Sequence, residues 1–353
     1  MTKTTDVQDQ SRILIIGCGG IGGVIAAKLH AAKTANISVF STNQDVLSAV
    51  QQNGFVLTGL DGQRSVSGSI EQTIPDGPFD FIVLATRPPQ VEEAATQAAP
   101  ALAETGAMVV LQNGLCEDRV AAIVGRDRTI GGIVSFGASM PRPGVFELTA
   151  RGGITLGTIG NHTDPRLVHL QTLFAPLGDI QISQNLLGAR YSKLALNCAV
   201  SGMGTVAGVA LGSLLFESSA RNLALGIMRE VVQVSRGEGV TIEPIAGTFD
   251  LNWLADPDAR NGGFHHWMRH LMLLIVGLKY RRLRSSMLRA IERGRSPAIA
   301  FLNGEIVVRG AKHGIPTPLN TALRDTVLRI AAKEASSDVA HLETIRAAAR
   351  TTV

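Results

Sequence analysis

Short apolar runs alternate with helical patterns over the first third of the chain. The apolar runs predict buried strands, and the 3.6-residue patterns predict amphipathic helices. The predicted strands are 12–17, 36–40, 79–85 and 107–111, and the predicted helices are 21–32, 44–52 and 90–99. Strands that alternate with helices are typical of a parallel, doubly wound sheet. This part of the chain is therefore predicted to be an α/β domain.

The pattern changes further along the chain. Short β-like runs at 130–136, 145–149 and 154–159 are punctuated by Gly and Pro, and we expect them to extend the sheet. Beyond about residue 189, long helical patterns dominate and strand signals nearly vanish. We therefore expect three parts, which are a flexible tail (1–11), an α/β domain (12–186) and an all-α domain (187–353).

One stretch could be mistaken for a membrane segment. Residues 194–216 carry no charge, and their length would be enough to cross a bilayer. However, the stretch contains Asn197, Ser201, Thr205 and Ser213, together with four glycines. We predict that it forms two tightly packed core helices joined by a turn.

A glycine motif lies directly after the first predicted strand. Gly17-Cys18-Gly19-Gly20-Ile21-Gly22 has the form GxGxxG and opens the first predicted helix. Gly17 permits the tight turn, Gly19 lets the backbone approach a pyrophosphate, and Gly22 lets the helix pack closely on the strand. Gly20 and Ile21 lie at the positive end of that helix, which attracts phosphate. The motif in this context predicts a Rossmann domain that binds a dinucleotide.

The residues after the second strand bear on the choice between NAD and NADP. An acid about 20 residues after the motif usually binds the ribose hydroxyls of NAD. The sequence here is Val39-Phe40-Ser41-Thr42-Asn43, which holds no acid. Arg87, after the strand that ends near Ala85, could supply a charge for a 2′-phosphate. The sequence therefore favours NADP, with Thr42 and Arg87 at the adenosine end, and NAD remains the alternative.

Further motifs follow in a fixed order. They are Gln112-Asn113-Gly114, Lys193-Leu194-Ala195-Leu196-Asn197, Ser285-Ser286-Met287-Leu288, Leu302-Asn303-Gly304 and the Gly314–Asn320 run GIPTPLN. With the glycine motif, they make residues 12–335 resemble the ketopantoate reductase family. The resemblance implies NADP-dependent reduction of a 2-oxo acid to a 2-hydroxy acid, with a place in pantothenate biosynthesis.

The resemblance assigns a role to each motif residue. Reduction of a ketone needs a proton on oxygen, and a cationic acid beside the carbonyl can supply it. Lys193 fits this role, and no other lysine lies between Lys33 and Lys279. By resemblance Asn113 contacts the cofactor ribose and the substrate, and Asn197 and Ser286 bind substrate. From the residues alone, a surface lysine, a turn asparagine, a packing amide and a helix-capping serine stay open as alternatives.

The sequence departs from the family pattern at two places. Ser201 stands where the family has a second asparagine, and we place it with the substrate-binding residues. Ala298 stands where the family has an acid twelve positions after the substrate serine, and the acid two residues later is also an alanine, Ala300. Glu305 is a poor substitute because it would lie about 10 Å further along a helix. These departures leave two alternatives open, a reductase of a larger or more apolar carbonyl compound and a catalytically weak dinucleotide-binding redox sensor.

Composition and partners complete the sequence analysis. Three widely spaced cysteines and a polar N-terminus favour a reducing cytoplasm and no signal peptide. The net charge is only +4, and the one basic run, 279–284, is short. We therefore expect no nucleic-acid partner. His266 and His270 have the spacing of a helical ligand pair, but no acid or cysteine lies near enough to complete a metal site. We expect a small-molecule substrate, no membrane partner and no metal, with a homodimer as an open alternative to a monomer.

Overall fold

The computed structural model describes residues 11–244, 250–258, 263–279, 281 and 284–348. Contacts between residues divide the chain into two compact units. The α/β unit runs to Gln112 and resumes over Cys116–Leu186, and the helical unit comprises Asn113–Leu115 and everything from Leu187 onward. The sequence pattern places Asn113–Leu115 in the α/β domain. The contacts group this loop with the helical unit because Leu115 packs into the core formed by the helices.

The α/β unit contains eleven described strands and five described α-helices. The strands are β1 (Arg12–Ile16), β2 (Asn36–Phe40), β3 (Phe55–Gly59), β4 (Arg64–Val66), β5 (Phe79–Leu84), β6 (Leu102–Val110), β7 (Thr129–Val134), β8 (Gly137–Arg142), β9 (Val145–Ala150), β10 (Gly153–Thr158) and β11 (Asp179–Ile182). The helices are α1 (Gly20–Ala32), α2 (Gln44–Asn53), α3 (Val91–Ala98), α4 (Glu117–Val124) and α5 (Pro165–Phe174). Each predicted strand and helix of the first third is present, with ends that differ by up to five residues.

The main sheet has seven strands in the order β11-β10-β7-β6-β5-β1-β2. The strands β2, β1, β5, β6 and β7 are parallel, and β10 is antiparallel to β7. Helices between successive parallel strands make this the doubly wound arrangement that the sequence predicts. The central strand β1 is almost wholly buried because apolar side chains occupy both of its faces.

A second sheet was not expected from the sequence. Its four strands have the order β4-β3-β9-β8, and β3 pairs in parallel with β9 over Val56–Gly59 and Val145–Leu148. The prediction that 145–149 extends the main sheet is therefore wrong, whereas the runs in β7 and β10 do extend it. An apolar run predicts a strand but does not specify its partner, which here is a strand almost ninety residues earlier in the chain.

The helical unit contains nine described α-helices. They are α6 (Leu186–Ala207), α7 (Leu211–Phe216), α8 (Ser218–Gly237), α9 (Leu251–Leu254), α10 (Gly263–Lys279), α11 (Ser286–Glu292), α12 (Asn303–Lys312), α13 (Pro318–Ala331) and α14 (Ala340–Ala348). The uncharged stretch 194–216 forms the end of α6 and all of α7, with a turn at Gly208 where φ is +72°. The prediction of two core helices and a turn is confirmed. Across the described residues, no helix has both the length and the hydropathy that a membrane crossing needs.

Candidate functional site

The glycine motif lies at the carboxyl end of β1, between the ends of β5 and β2 in the main sheet. Gly17 has φ of +99°, and a Cβ there would come within 2.9 Å of the Thr86 backbone nitrogen. A Cβ at Gly22 would lie 1.9 Å from the Gly17 carbonyl oxygen, so α1 can approach the strand only with glycine at this position. These two glycines have the steric roles that the motif predicts.

Gly19 is different because its surroundings are open. A Cβ built at Gly19 would meet no heavy atom within 4 Å, and its φ of −87° is accessible to any residue. Gly19 is also the N-cap of α1, where no side chain bonds the first N–H groups and no acid lies in the first turn. An open backbone at an uncapped helix N-terminus is a site that fits a pyrophosphate. The residues present therefore fit a dinucleotide.

The Cys18 thiol lies within this loop and is buried. Burial raises the pKa of Cys18 to about 12. The thiol is therefore neutral near pH 7, and no thiolate charge opposes a phosphate bound at the loop.

The end of β2 holds the residues that would meet the adenosine ribose. Thr42 is exposed, and the Asn43 side chain caps α2 by accepting hydrogen bonds from the Asp45 and Val46 backbone N–H groups. Glu71, which the sequence analysis missed, is bridged to Phe40, and its carbonyl oxygen accepts from the Ser41 N–H at 3.0 Å. The acid-free end of β2 thus has an acidic residue beside it, contributed by a segment too distant in sequence for the usual spacing rule.

Arg87 and Gln112 follow the two neighbouring strands. Arg87 is half-buried and precedes a 3-10 turn at Pro88–Gln90, three residues beyond the end of β5. The Gln112 side-chain amide donates to the carbonyl oxygens of Leu84 at 3.0 Å and Thr86 at 3.2 Å, which fixes the ends of β5 and β6 together. The structure therefore places the glycine loop, Thr42 and Arg87 at the carboxyl ends of three adjacent strands, the usual ligand edge of such sheets.

A face of α6 carries the predicted catalytic residues. Lys193, Asn197 and Ser201 follow one another at intervals of four residues, so they share one helix face, and all three are half-buried. The opposite face of α6 packs into the core through residues such as Ala195 and Ala199. The Asn197 Nδ2 atom is buried and has no hydrogen-bond partner within the described part of the chain. An amide donor left in this state suits a ligand that accepts a hydrogen bond.

The start of α11 lies beside the Ser201 end of this face. The Ser285 hydroxyl caps α11 by accepting from the Met287 and Leu288 N–H groups. It also contacts the Thr205 hydroxyl at 2.8 Å and donates to the Ser201 carbonyl oxygen at 3.1 Å. The capping role that we left open for Ser286 thus belongs to Ser285, and Ser286 is exposed at the first helical position.

The residues that replace the family's acids lie in a 3-10 turn, Ala298–Phe301. Ala298 is half-buried and Ala300 is exposed. Gly114 approaches this turn closely, since a Cβ there would lie 2.4 Å from the Phe301 carbonyl oxygen. Asn113, which is exposed and directly precedes Gly114, therefore belongs to the helical unit.

The sequence analysis rejects Glu305 as a substitute acid, on the assumption that it lies on one continuous helix with Ala298. This geometry is wrong, because the 3-10 turn ends at Phe301 and α12 begins at Asn303. The Glu305 carboxylate accepts from the Arg309 Nε atom at 2.7 Å. Arg309 also bonds Glu238, which accepts from the Tyr191 hydroxyl at 2.6 Å. Burial and the bond to Glu238 raise the pKa of Tyr191 well above its usual value, so this phenol is a neutral donor.

A buried polar network lies behind the α6 face, and its roles were not predicted. The Asn303 amide donates to the Cys198 carbonyl oxygen at 3.3 Å and to the Asn320 Oδ1 atom at 2.9 Å. The Glu230 carboxylate accepts from the backbone N–H groups of Leu319 at 2.8 Å and Asn320 at 2.9 Å. The asparagines of the two last sequence motifs therefore hold α12 and α13 against α6. The sequence signal that could have pointed to Glu230 is that it is the only acid in α8.

The histidine-rich segment forms α10, while part of the surrounding 244–280 segment and of the basic run 279–284 lies outside the described residues. His270 accepts from the Arg221 Nε atom at 3.0 Å and contacts the Asn222 Oδ1 atom at 3.0 Å. The His266 and His270 rings are 4.5 Å apart. The described residues contain no group of three or more His, Cys, Asp or Glu side chains arranged to hold a metal ion.

The doubly wound sheet with a glycine loop at its carboxyl edge fits a dinucleotide cofactor, and the relatives of this chain make it an oxidoreductase that acts on CH–OH or C=O groups. Residues 13–161 match the family model described as ketopantoate reductase PanE/ApbA, and residues 185–331 match the model of its C-terminal part. The chain belongs to this family.

Relatives and solved structures agree with that assignment. A 2-dehydropantoate 2-reductase of Pyrococcus horikoshii is 24% identical over 315 residues, which cover 88% of this chain and 95% of the relative. A PanE/ApbA family ketopantoate reductase of Ralstonia eutropha superposes with a TM-score of 0.76 at 23% identity, covering 92% and 99% of the two chains. D-mandelate dehydrogenase with NADH and anilino(oxo)acetate superposes with a TM-score of 0.77 at 18% identity, covering 95% and 99%. At these identities the structural likeness shows a common fold.

Proposed function

We propose that this protein reduces a 2-oxo acid to the 2-hydroxy acid with NADPH, and that Lys193 is the general acid. The observation that carries the proposal is the half-buried α6 face, where Lys193 and the unsatisfied amide of Asn197 lie one turn apart. Only a ligand that accepts both a proton and hydrogen bonds uses such a pair fully, and a ketone oxygen that becomes an alkoxide is such a ligand.

The chemistry divides between the cofactor and the chain. A nicotinamide cofactor, when bound, would supply the hydride for the keto carbon. Lys193 donates a proton to the keto oxygen, and its positive charge stabilises the negative charge that develops there. Asn197 would donate a hydrogen bond to the substrate, and Asn113 would contact the cofactor ribose and the substrate. Ser286 donates to the substrate carboxylate, for which its exposed hydroxyl at the start of α11 is suited.

The cofactor preference rests on the end of β2 and on Arg87. The backbone N–H groups of the glycine loop would hold the pyrophosphate, while Thr42 and Arg87 would meet the 2′-phosphate. NADH is the second candidate, and Glu71 is the observation that favours it, because a carboxylate near this strand end can bind ribose hydroxyls. The ratio of kcat/KM with NADPH to kcat/KM with NADH decides between them, and a ratio below one would assign NADH.

A substrate screen tests the activity itself. The protein would be assayed for NADPH and NADH oxidation with ketopantoate, small aliphatic 2-oxo acids and aryl 2-oxo acids, each at saturating cofactor. Turnover of at least one 2-oxo acid supports the proposal. Cofactor binding by calorimetry without turnover of any of them would instead identify a dinucleotide-binding redox sensor.

A second candidate substrate class is a larger or more apolar 2-oxo acid. Ala298 and Ala300 remove both acids of the family's stretch, and Glu305 is occupied by Arg309. The structurally similar D-mandelate dehydrogenase binds anilino(oxo)acetate, a ligand with an aryl group. A pocket without the acid loses a partner for a substrate hydroxyl and favours apolar contact instead.

The variant Ala298→Glu tests this candidate. A hydrogen bond to a charged group contributes about 1.5–3 kcal/mol, so the glutamate should raise kcat/KM on ketopantoate relative to an aryl 2-oxo acid by roughly 10- to 150-fold. Val308→Glu, which adds the same charge at an exposed residue of α12 outside this turn, is the matched control. High wild-type activity on ketopantoate that Ala298→Glu does not improve would assign ketopantoate as the substrate and remove the second candidate.

A further inference from the structure

Cationic side chains of α8 and α10 form a cluster within the helical unit. The Arg221 Nε atom of α8 donates to the His270 Nδ1 atom of α10 at 3.0 Å, and the ring centres of His270 and His266 are 4.5 Å apart. Arg269 of α10 lies close enough to Arg229 of α8 to oppose its charge. The cluster therefore brings together three guanidinium groups and two imidazole rings.

Little negative charge balances this cluster. Burial and the charge of Arg269 lower the pKa of Arg229, and burial and the neighbouring cations likewise lower the pKa of His270. Helix α10 contains no Asp or Glu. Among the described acids, Asp256 raises the pKa of Arg229, but its carboxylate also accepts from the Arg236 Nη2 atom at 3.3 Å. The cations thus outnumber the acid that is available to them.

Two of the arginines are held in place by uncharged groups. Arg269 is buried, its Nε atom donates to the Trp253 carbonyl oxygen at 2.9 Å, and its guanidinium carbon lies 5.4 Å from the centre of the Trp253 ring. The Arg221 Nη1 atom donates to the carbonyl oxygens of Leu215 at 2.7 Å and Phe216 at 2.8 Å. These contacts fix the guanidinium groups without neutralising them. A site whose cations are already fixed binds an anion with a smaller loss of conformational entropy.

One imidazole nitrogen of the cluster lacks a protein partner. The His266 Nδ1 atom is buried and makes no hydrogen bond to any residue that the structure describes. His270 differs, because its Nδ1 atom accepts from Arg221 and its Nε2 atom lies 3.0 Å from the Asn222 Oδ1 atom. A buried polar atom without a protein partner is commonly satisfied by a bound water or ion. With its proton on Nδ1, His266 would be a donor for an anion.

We propose that this cluster is a binding site for a phosphate group, either free or as a phosphomonoester. Guanidinium groups bind phosphate oxygens through paired N–H donors. Because the cluster is compact, a single tetrahedral anion with two negative charges matches it better than carboxylates spread along a longer molecule. Arg221, Arg229, His266 and His270 are half-buried, which leaves the site open to solvent. The site belongs to the helical unit alone and does not depend on the proposed reduction.

The first experiment is a calorimetric titration with inorganic phosphate at constant ionic strength and with saturating NADPH. The NADPH occupies the glycine loop, where phosphate could otherwise bind, and the constant ionic strength keeps the screening of charges equal. Saturable binding of one phosphate per chain is the expected result. Phosphate should also raise the unfolding midpoint of the protein, because it binds the folded state. The absence of saturable binding would overturn the proposal.

Two variants locate the site. Arg229→Gln removes a cation, and His266→Leu removes the imidazole donor. Each should raise the dissociation constant for phosphate at least about tenfold, since this corresponds to one lost hydrogen bond to a charged group. Arg229→Gln should remain folded, because it relieves the repulsion between Arg229 and Arg269. Arg329→Gln, at an exposed arginine of α13, is the matched control and should bind phosphate like wild type.

The variants and two further ligands separate the possible outcomes. Equal phosphate affinity in wild type, Arg229→Gln and His266→Leu would place the phosphate elsewhere and overturn the proposal. An equal loss of affinity in Arg329→Gln would show attraction by net charge alone and would also overturn it. Succinate that binds more tightly than phosphate would contradict the choice of a tetrahedral anion. Glycerol 3-phosphate distinguishes the two sources, because tighter binding than that of inorganic phosphate assigns a phosphomonoester and weaker binding assigns free phosphate.

Discussion

At the scale of single residues, two glycines of the same loop are needed for different physical reasons. Gly19 is surrounded by open space, whereas a Cβ at Gly22 would collide with the Gly17 carbonyl oxygen. Glycine at position 19 therefore leaves space for the ligand, and glycine at position 22 allows α1 to pack on β1.

Substitution at these glycines should separate binding from folding. Gly19→Asp should leave the unfolding midpoint nearly unchanged and weaken NADPH binding at least about tenfold, because it adds negative charge where the pyrophosphate lies. Gly22→Ala should instead lower the unfolding midpoint strongly. Calorimetry and urea unfolding measure the two effects, and unchanged NADPH affinity in folded Gly19→Asp would refute the assignment of the cofactor loop.

His30 of α1 gives the α/β unit a sensitivity to acid. Burial lowers the pKa of His30 below its usual value, and its ring packs on Phe55 at 5.4 Å. A histidine with a lowered folded pKa binds protons more readily when unfolded. Its neutral form therefore contributes full stability above the unfolded pKa of about 6.5, and this stability is lost as the pH falls below that value.

The corresponding prediction concerns the change in stability with pH. Between about pH 7.5 and about pH 5.5, wild type should lose more unfolding free energy than His30→Leu, which cannot be protonated. His162→Leu, at an exposed histidine, should keep the wild-type dependence. Equal pH dependence in wild type and His30→Leu would show that His30 does not contribute.

At the scale of elements, α6 is held in place by groups that do not face the substrate side. Asn303 bonds the backbone of α6 at Cys198, Asn320 bonds Asn303, and Glu230 bonds the first N–H groups of α13. The last two sequence motifs thus support the face that carries Lys193 rather than contribute to it.

Glu230→Gln should destabilise the helical unit. A glutamine amide turns a donor toward backbone N–H groups that need an acceptor, and an unsatisfied buried group costs about 1–3 kcal/mol. Urea unfolding should show a lower midpoint with an unchanged slope. Glu334→Gln, at an exposed glutamate, is the control and should stay within about 0.5 kcal/mol of wild type. A midpoint for Glu230→Gln equal to that of Glu334→Gln would contradict the capping role.

Some of the elements could be predicted from the sequence, and others could not. The main parallel sheet was predictable because each buried strand is an apolar run with a helix after it, and the glycine motif was predictable because it follows the first strand. The pairing of β3 with β9 was not, since strand partners depend on contacts far apart in the chain. Ser285 could not be distinguished from Ser286 as the helix cap, because adjacent serines differ only in where the helix begins.

At the scale of the whole molecule, the chain has two units with different tasks. The α/β unit holds the glycine loop, Thr42 and Arg87, and the helical unit holds Lys193, Asn197, Ser201 and Ser286. Cofactor affinity and turnover should therefore respond to different substitutions, so that a variant in the helical unit can abolish turnover while it leaves NADPH binding intact.

Turnover by Lys193→Met is the most direct test of the proposed function. The variant should keep NADPH affinity, measured by calorimetry, and lose roughly 10²- to 10⁴-fold in kcat on the best 2-oxo acid, since this is the usual contribution of a general acid. Lys312→Met, at an exposed lysine of α12, should match wild type in both quantities. A folded Lys193→Met that turns over within about threefold of wild type would contradict the account, because no catalytic proton could then come from Lys193.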